Sequence, residues 1–100
     1  MNKDLKLQKF RLEIGTRLWA LRNANGVSQE KFADSIGATQ SVYHKWERGD
    51  NFPNELHVRV ICEKYSVDFN FIYAGDLKPF KKKEKVMLNN LIEERLAQMA

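Results

Sequence analysis

Apolar residues recur along the chain at steps of three and four, the spacing that places side chains on one face of an α-helix. The first such stripe consists of Leu7, Phe10, Ile14, Leu18 and Leu21. It predicts a helix that ends near Asn23, because Asn25 and Gly26 favour a turn. No stretch of useful length alternates between apolar and polar residues as a half-buried strand would. The pattern therefore predicts an all-α fold.

Four shorter helices are predicted after the first, in residues 28–37, 39–49, 54–65 and 67–75. Three of them follow a residue whose side chain can accept a hydrogen bond from the backbone at the helix start, namely Ser28, Thr39 and Asn54. The last helix is expected to turn Phe69 and Ile72 towards the core. The other apolar residues expected in the core of these helices are Phe32, Ala33, Ile36, Tyr43, Trp46, Val58, Ile61, Cys62 and Tyr65.

The pattern divides the chain into four segments. Residues 1–13 are predicted to extend the first helix, and residues 14–75 to form a five-helix domain. Residues 76–83 resemble a basic linker, because Pro79 and four lysines within six positions favour neither a helix nor a core. Residues 84–100 are predicted to form an additional C-terminal amphipathic helix, which is marginal alone and needs a surface to lie on.

The composition narrows the class of protein. At 100 residues and 11.7 kDa the chain has the size of one domain, and 43% hydrophobic and 30% charged residues are typical of a globular one. Cys62 alone cannot form an internal disulfide, and two histidines are too few for a usual structural zinc site. No apolar run approaches the ~20 residues of a membrane span, and no signal-peptide stretch is visible. We therefore expect a cytoplasmic protein with no membrane segment and no metal.

The net charge of +4 suggests a nucleic-acid partner, but its distribution matters more than its sum. Residues 1–77 hold 11 basic and 10 acidic side chains, whereas residues 78–100 hold 6 and 3. Most of the excess positive charge therefore lies after the predicted domain. DNA binding by the domain itself would depend on a few placed side chains rather than on bulk charge.

Residues 28–49, SQEKFADSIGATQSVYHKWERG, contain two short predicted helices joined by a turn at Gly37, which is helix-turn-helix spacing. Ala33 is expected to be small because the helices cross closely there. Tyr43 and Trp46 are spaced to be buried, which leaves the opposite face of the third helix exposed. The polar residues on or beside that face, which can hydrogen-bond to base edges, are Thr39, Gln40, Ser41, His44 and Lys45.

The segment LRNANGVSQEKFADSIGATQSVYHKWERG, followed by Pro53 and the residues from Tyr65 to Gly75, resembles the lambda-repressor-like helix-turn-helix family of bacterial and phage regulators. This family is also called the Cro-like or xenobiotic-response-element family. The resemblance covers about residues 13–75. It implies a five-helix DNA-binding domain that acts as a homodimer on a palindromic operator, with the third helix in the major groove.

The resemblance also implies residue roles. Gln40, Ser41 and Lys45 match the main base-reading positions, and His44 lies beside them. The residues expected to contact phosphates are Ser28, Gln29, Arg48 and Asn51. Arg22 and Glu47 match a family ion pair that holds the third helix against the first, and the loss of one partner would leave a partly buried charge unpaired.

Three positions depart from the family pattern. Tyr43 stands where a smaller aliphatic residue is usual, and Asp50 occupies a loop where cations often contact phosphates. Trp19 replaces a residue that is usually polar. It is therefore a candidate contact with a second molecule, the alternative being that it packs under the N-terminal extension.

The C-terminal helix carries an apolar stripe that needs a partner surface, formed by Leu88, Leu91, Ile92, Leu96 and Met99. Homodimerisation is the favoured use of this stripe. The alternatives are packing onto its own domain and binding to another protein.

No set of nucleophile, histidine and acid, no paired carboxylates beside a pocket signal and no glycine-rich phosphate loop is present, so catalytic residues and cofactors are not predicted. The sequence predicts a transcriptional regulator, favoured as a repressor, that binds an operator in double-stranded DNA. The alternative is an antitoxin-like or other protein-interaction subunit whose C-terminal helix binds a partner, with DNA binding secondary. A third reading is a nonspecific nucleic-acid binder that uses the lysine-rich tail.

Overall fold

The computed structural model describes residues 3–99, so residues 1, 2 and 100 of the predicted terminal segments lie outside the described residues. Within residues 3–99 the chain forms six helices and no strand, which confirms the predicted all-α fold. The helices are α1 (Lys3–Ala24), α2 (Gln29–Ser35), α3 (Gln40–Arg48), α4 (Glu55–Tyr65), α5 (Phe69–Ala74) and α6 (Lys82–Met99). Across the described range, no helix combines the length and apolar character that crossing a membrane requires.

The predicted helix starts at Ser28, Thr39 and Asn54 are confirmed. Each side chain accepts a hydrogen bond from the backbone N–H three residues further on, at 3.2, 3.2 and 2.9 Å respectively. These bonds satisfy N–H groups that have no partner inside the helix. Gly49 ends α3 with φ at 78°, in the left-handed region that a residue without Cβ adopts at low cost. Local chemistry therefore fixes both ends of α3.

The central helix of the fold is α1, which packs against α3, α5 and α6. Ile14 and Leu18 are fully buried on it, as predicted. Between them lies Gly15, at the point where α1 crosses the C-terminal end of α3. A Cβ atom at Gly15 would lie only 2.7 Å from the backbone oxygen of Glu47. The missing side chain therefore sets how closely α1 and α3 approach each other.

The structure corrects the prediction for α5. Phe69 was expected in the core, but half of its surface is exposed, whereas Phe71 is fully buried. The cause is the helix start: the Asp68 side chain accepts a hydrogen bond from the Phe71 backbone at 2.9 Å, and this cap turns Phe71 and Ile72 inward together. On α1, Phe10 is also exposed, at 39%, and pairs edge to face with Phe52, with ring centroids 5.5 Å apart.

The connection between α5 and α6 also differs from the predicted linker. Helix α6 begins at Lys82, so the last two residues of the predicted linker are helical. Leu77 and Phe80 pack against the core, and the Phe80 ring lies edge to face with Phe71 at 5.2 Å between centroids. The high lysine content hides these two apolar anchors. The connection is therefore attached to the domain rather than free.

Candidate nucleic-acid interface

One face of α3 is polar and exposed along its length. The side chains that sequence reasoning placed there are all exposed: Thr39, Gln40, Ser41, His44 and Lys45. The opposite face carries Tyr43, Trp46 and Glu47, which are buried. The structure therefore brings the predicted base-reading residues together on one surface and holds them on a rigid element.

Aromatic packing positions α3. The Tyr43 ring lies 4.9 Å from Phe32 and 5.9 Å from Trp46, and its hydroxyl donates a hydrogen bond to the Leu18 carbonyl at 3.5 Å. Trp46 in turn contacts His57 on α4, with ring centroids 5.3 Å apart. Burial, reinforced by the nearby Glu47 carboxylate, raises the pKa of Tyr43, so this residue stays neutral in the core. The larger side chain at position 43 is thus accommodated by contacts with α1, with α2 and with Trp46 of its own helix.

The ion pair expected between Arg22 and Glu47 is present and joins α1 to α3. The Arg22 guanidinium donates to both carboxylate oxygens, at 2.6 Å from Nε and 3.1 Å from Nη2, and its Nη1 donates to the Val27 carbonyl at 2.9 Å. Burial alone lowers the pKa of Arg22, but the hydrogen bonds and charge of Glu47 outweigh that effect, and the net pKa is raised. Arg22 is therefore charged, and the Glu47 side chain that it pairs with is fully buried.

Gln29, at the start of α2, is tied into the same network. Its side-chain nitrogen Nε2 donates to Glu47 Oε1 at 2.9 Å and lies 3.2 Å from Nδ1 of His44. Sequence reasoning assigned this amide to a DNA phosphate. In the structure the two N–H groups of this amide instead face protein side chains. One faces the buried Glu47 carboxylate, and the other faces His44 on the exposed face of α3.

Comparison with known proteins agrees with this geometry. A family model described as a helix-turn-helix domain matches residues 13–68. The chain belongs to the helix-turn-helix domain family. It is also similar to the HTH-type transcriptional activator BcrR of Enterococcus faecalis, with 26% identity over 65 residues. That match covers 65% of this chain but 32% of the relative, so the chain spans about a third of the relative's length. No solved structure gives a significant match.

The remaining predicted phosphate contacts lie at the edges of the helix-turn-helix unit. Ser28 and Asn51 are exposed, although the Ser28 hydroxyl already accepts a hydrogen bond from the Lys31 backbone. Arg48 is exposed at the end of α3, and its Nε lies 3.6 Å from Asp50. Asp50 therefore partly neutralises the charge of Arg48 at this edge.

The apolar stripe of α6 is divided between two environments. Leu88 is buried at 3% exposure, and Leu91 and Ile92 pack against the core of the same chain, whereas Leu96 and Met99 are exposed. The first part of the stripe thus packs onto its own domain, rather than being left free for the favoured homodimerisation.

Trp19 is partly buried, and the Arg95 guanidinium on α6 lies 5.4 Å from the centre of its ring. Its neighbour is therefore α6, rather than the N-terminal extension considered from the sequence. A cation–π contact of this kind helps to hold α6 against α1.

Two residues of this site are missed by sequence reasoning. Val42 is 43% exposed at the edge of the polar face of α3, three residues before Lys45. Its apolar side chain suggests a core position, and only its place in the helical repeat indicates that it lies near the exposed face. Gly15 carries no local signal, because its importance comes from the crossing of α1 and α3.

Among residues 3–99, no cluster of three or more His, Cys, Asp or Glu side chains could hold a metal ion.

Proposed function

We propose that this chain is a sequence-specific regulator of transcription that inserts α3 into the major groove of double-stranded DNA. The observation that carries the proposal is the exposed polar face of α3, held on a buried base of Tyr43, Trp46 and Glu47. A helix presented in this way fits the major groove, where each base pair has a distinct pattern of donors and acceptors. The similarity to a protein named as a transcriptional activator supports the same class of function.

The side chains of this surface other than His44 have the following chemical roles in the proposal. Gln40 can bind adenine through two hydrogen bonds, and Lys45 can donate to the acceptors of guanine. Thr39 and Ser41 can pair with several bases, and the exposed methyl groups of Val42 can contact a thymine methyl. The side chains assigned to phosphates are Ser28, Arg48 and Asn51.

Replacing Gln40 with alanine is expected to relax the choice of base at one position of the site, with a loss of about 1 to 3 kcal/mol against the preferred base. Arg48→Ala is the matched control, because it removes a phosphate contact and should weaken all sequences about equally. The measurement is the affinity of both variants for a site selected from random DNA and for an unrelated duplex. If both variants lose specific and nonspecific affinity in the same ratio, the roles assigned to these two residues are wrong.

The proposal includes a homodimer on a palindromic operator with half-sites about one turn apart, ~34 Å. The expected complex holds two chains per palindrome, a protein mass of about twice 11.7 kDa, whereas a single half-site should bind one chain more weakly. Sedimentation of the free protein and of both DNA complexes measures these masses. One chain per palindrome, with the same affinity as for the half-site, would contradict the dimer.

We propose that the chain acts in the cytoplasm and that it represses transcription rather than activating it. Occupancy of promoter DNA is sufficient to exclude the polymerase, whereas activation requires an additional contact with it. Since the relative is named as an activator, a promoter reporter decides between the two: expression should fall when the chain is present and recover with Gln40→Ala.

A further inference from the structure

A short chain of hydrogen bonds connects the buried ion pair to the exposed face of α3. Glu47 lies at its inner end, fully buried and paired with Arg22. The Gln29 amide follows at 2.9 Å, and His44 Nδ1 lies 3.2 Å beyond the same amide nitrogen. The outer end of this series of hydrogen bonds is thus His44, which lies among the proposed base readers.

The donor and acceptor at each step are fixed by the step before it. A carboxylate paired with arginine can only accept hydrogen bonds, so the amide group of Gln29 must turn its nitrogen towards Glu47. That nitrogen carries two hydrogens, and the second is directed at His44. Because an amide N–H only donates, Nδ1 of His44 must accept. The neutral imidazole then carries its hydrogen on Nε2, which is left to donate.

We propose that His44 reads guanine by donating from Nε2 to N7, and that Gln29 is the positioning residue that fixes His44 in this tautomer and orientation. The inference rests on the proposed function. Guanine fits because its major-groove edge offers only acceptors, N7 and O6, whereas adenine places an N6 donor beside its N7 and cytosine offers a donor at N4. Gln29 thus contributes to sequence choice through His44.

The competing role for Gln29 is a phosphate contact. Both of its amide hydrogens already have protein partners in the free protein, and one of these is a buried carboxylate. A phosphate would therefore have to displace His44 or remove a donor from Glu47, and leaving a buried charge short of partners is costly. The geometry favours the positioning role.

The test uses the full chain and a site selected from random DNA, in which each guanine is replaced in turn by 7-deazaguanine, which lacks the N7 acceptor. At one position the wild-type chain should bind the altered site about three- to tenfold more weakly, the range of one hydrogen bond. His44→Ala should bind the normal and altered sites equally at that position. Gln29→Met should reduce the discrimination there to less than about twofold, which phosphate binding would not do.

Asn90→Met is the control, because it removes an exposed amide on α6, outside the proposed base-reading surface and the hydrogen bonds to Glu47. It should leave the discrimination at the His44 position intact. Wild-type tolerance of 7-deazaguanine at every guanine overturns the inference without any variant, and so does full discrimination by folded Gln29→Met. If selection yields no preferred sequence at all, the proposed function fails as well, so the two failures are distinguishable.

Discussion

Replacing Arg22 with methionine is expected to lower the free energy of unfolding by about 3 to 5 kcal/mol. The Glu47 carboxylate is fully buried and receives hydrogen bonds from Arg22 at 2.6 and 3.1 Å. In the variant it would keep the Gln29 amide as a donor but lose its paired positive charge. A buried carboxylate then retains the cost of leaving water without the attraction that offsets it. In a domain of this size, such a loss is a large share of the total stability, about 5 to 15 kcal/mol.

Urea unfolding followed by circular dichroism measures this loss, with Arg59→Met as the matched control. Arg59 pairs with Glu63 at 3.2 Å one helical turn away, but the two side chains are 72% and 65% exposed. Exposed pairs contribute at most about 1 kcal/mol, so the control should stay close to the wild type. Equal losses in the two variants would mean that the charge of Glu47 is not desolvated, contrary to its position in the structure.

The double variant Arg22→Met with Glu47→Met separates charge from packing. It removes the buried charge together with its partner, so it should be more stable than Arg22→Met alone. The recovery should be incomplete, because the Gln29 amide loses its acceptor. If instead the two changes add, the destabilisation comes from lost packing of the side-chain stems rather than from an unpaired carboxylate.

The parts of the fold that depend on local chemistry could be predicted from the sequence. Ser28, Thr39 and Asn54 start helices because the hydrogen bond that each makes involves residues three apart in the chain. The polar face of α3 follows from the helical repeat in the same way. Phe69 shows the limit: its neighbours Phe71 and Ile72 are also apolar, and only the cap at Asp68 decides which of them turn inward.

The parts that depend on tertiary contacts could not be predicted. An apolar stripe on α6 shows that a surface is needed, but Leu88 packs on its own domain only because α1 offers a matching surface. The contact between Gln29 and His44 likewise requires that α2, α3 and the Glu47 carboxylate meet, and no local sequence pattern predicts it. The resemblance supplies the residue types of the interface, whereas the hydrogen bonds among them come from the structure.

Gly15→Ala sets two effects of opposite sign against each other. Alanine in a helix interior is favoured over glycine by about 1 kcal/mol. The added Cβ atom, however, would lie 2.7 Å from the Glu47 backbone oxygen and would also meet the Trp46 backbone oxygen. Overpacking typically costs about 1 to 3 kcal/mol, and backbone atoms cannot rotate away as a side chain can, so the upper part of that range applies. We expect a net loss of about 2 kcal/mol in the free energy of unfolding.

The matched control is the difference between Asn90→Ala and Asn90→Gly, because Asn90 is exposed in the middle of α6 and reports the helix preference alone. At position 90 the alanine variant should be more stable than the glycine variant, whereas at position 15 glycine should give the more stable protein.

Relief of the clash requires α1 to move away from the end of α3 that carries Lys45 and Arg48. Folded Gly15→Ala should therefore also bind DNA more weakly at temperatures well below its unfolding. If position 15 shows the same preference for alanine as position 90, then α1 and α3 can separate without cost. In that case the close crossing at Gly15 would not be what places α3.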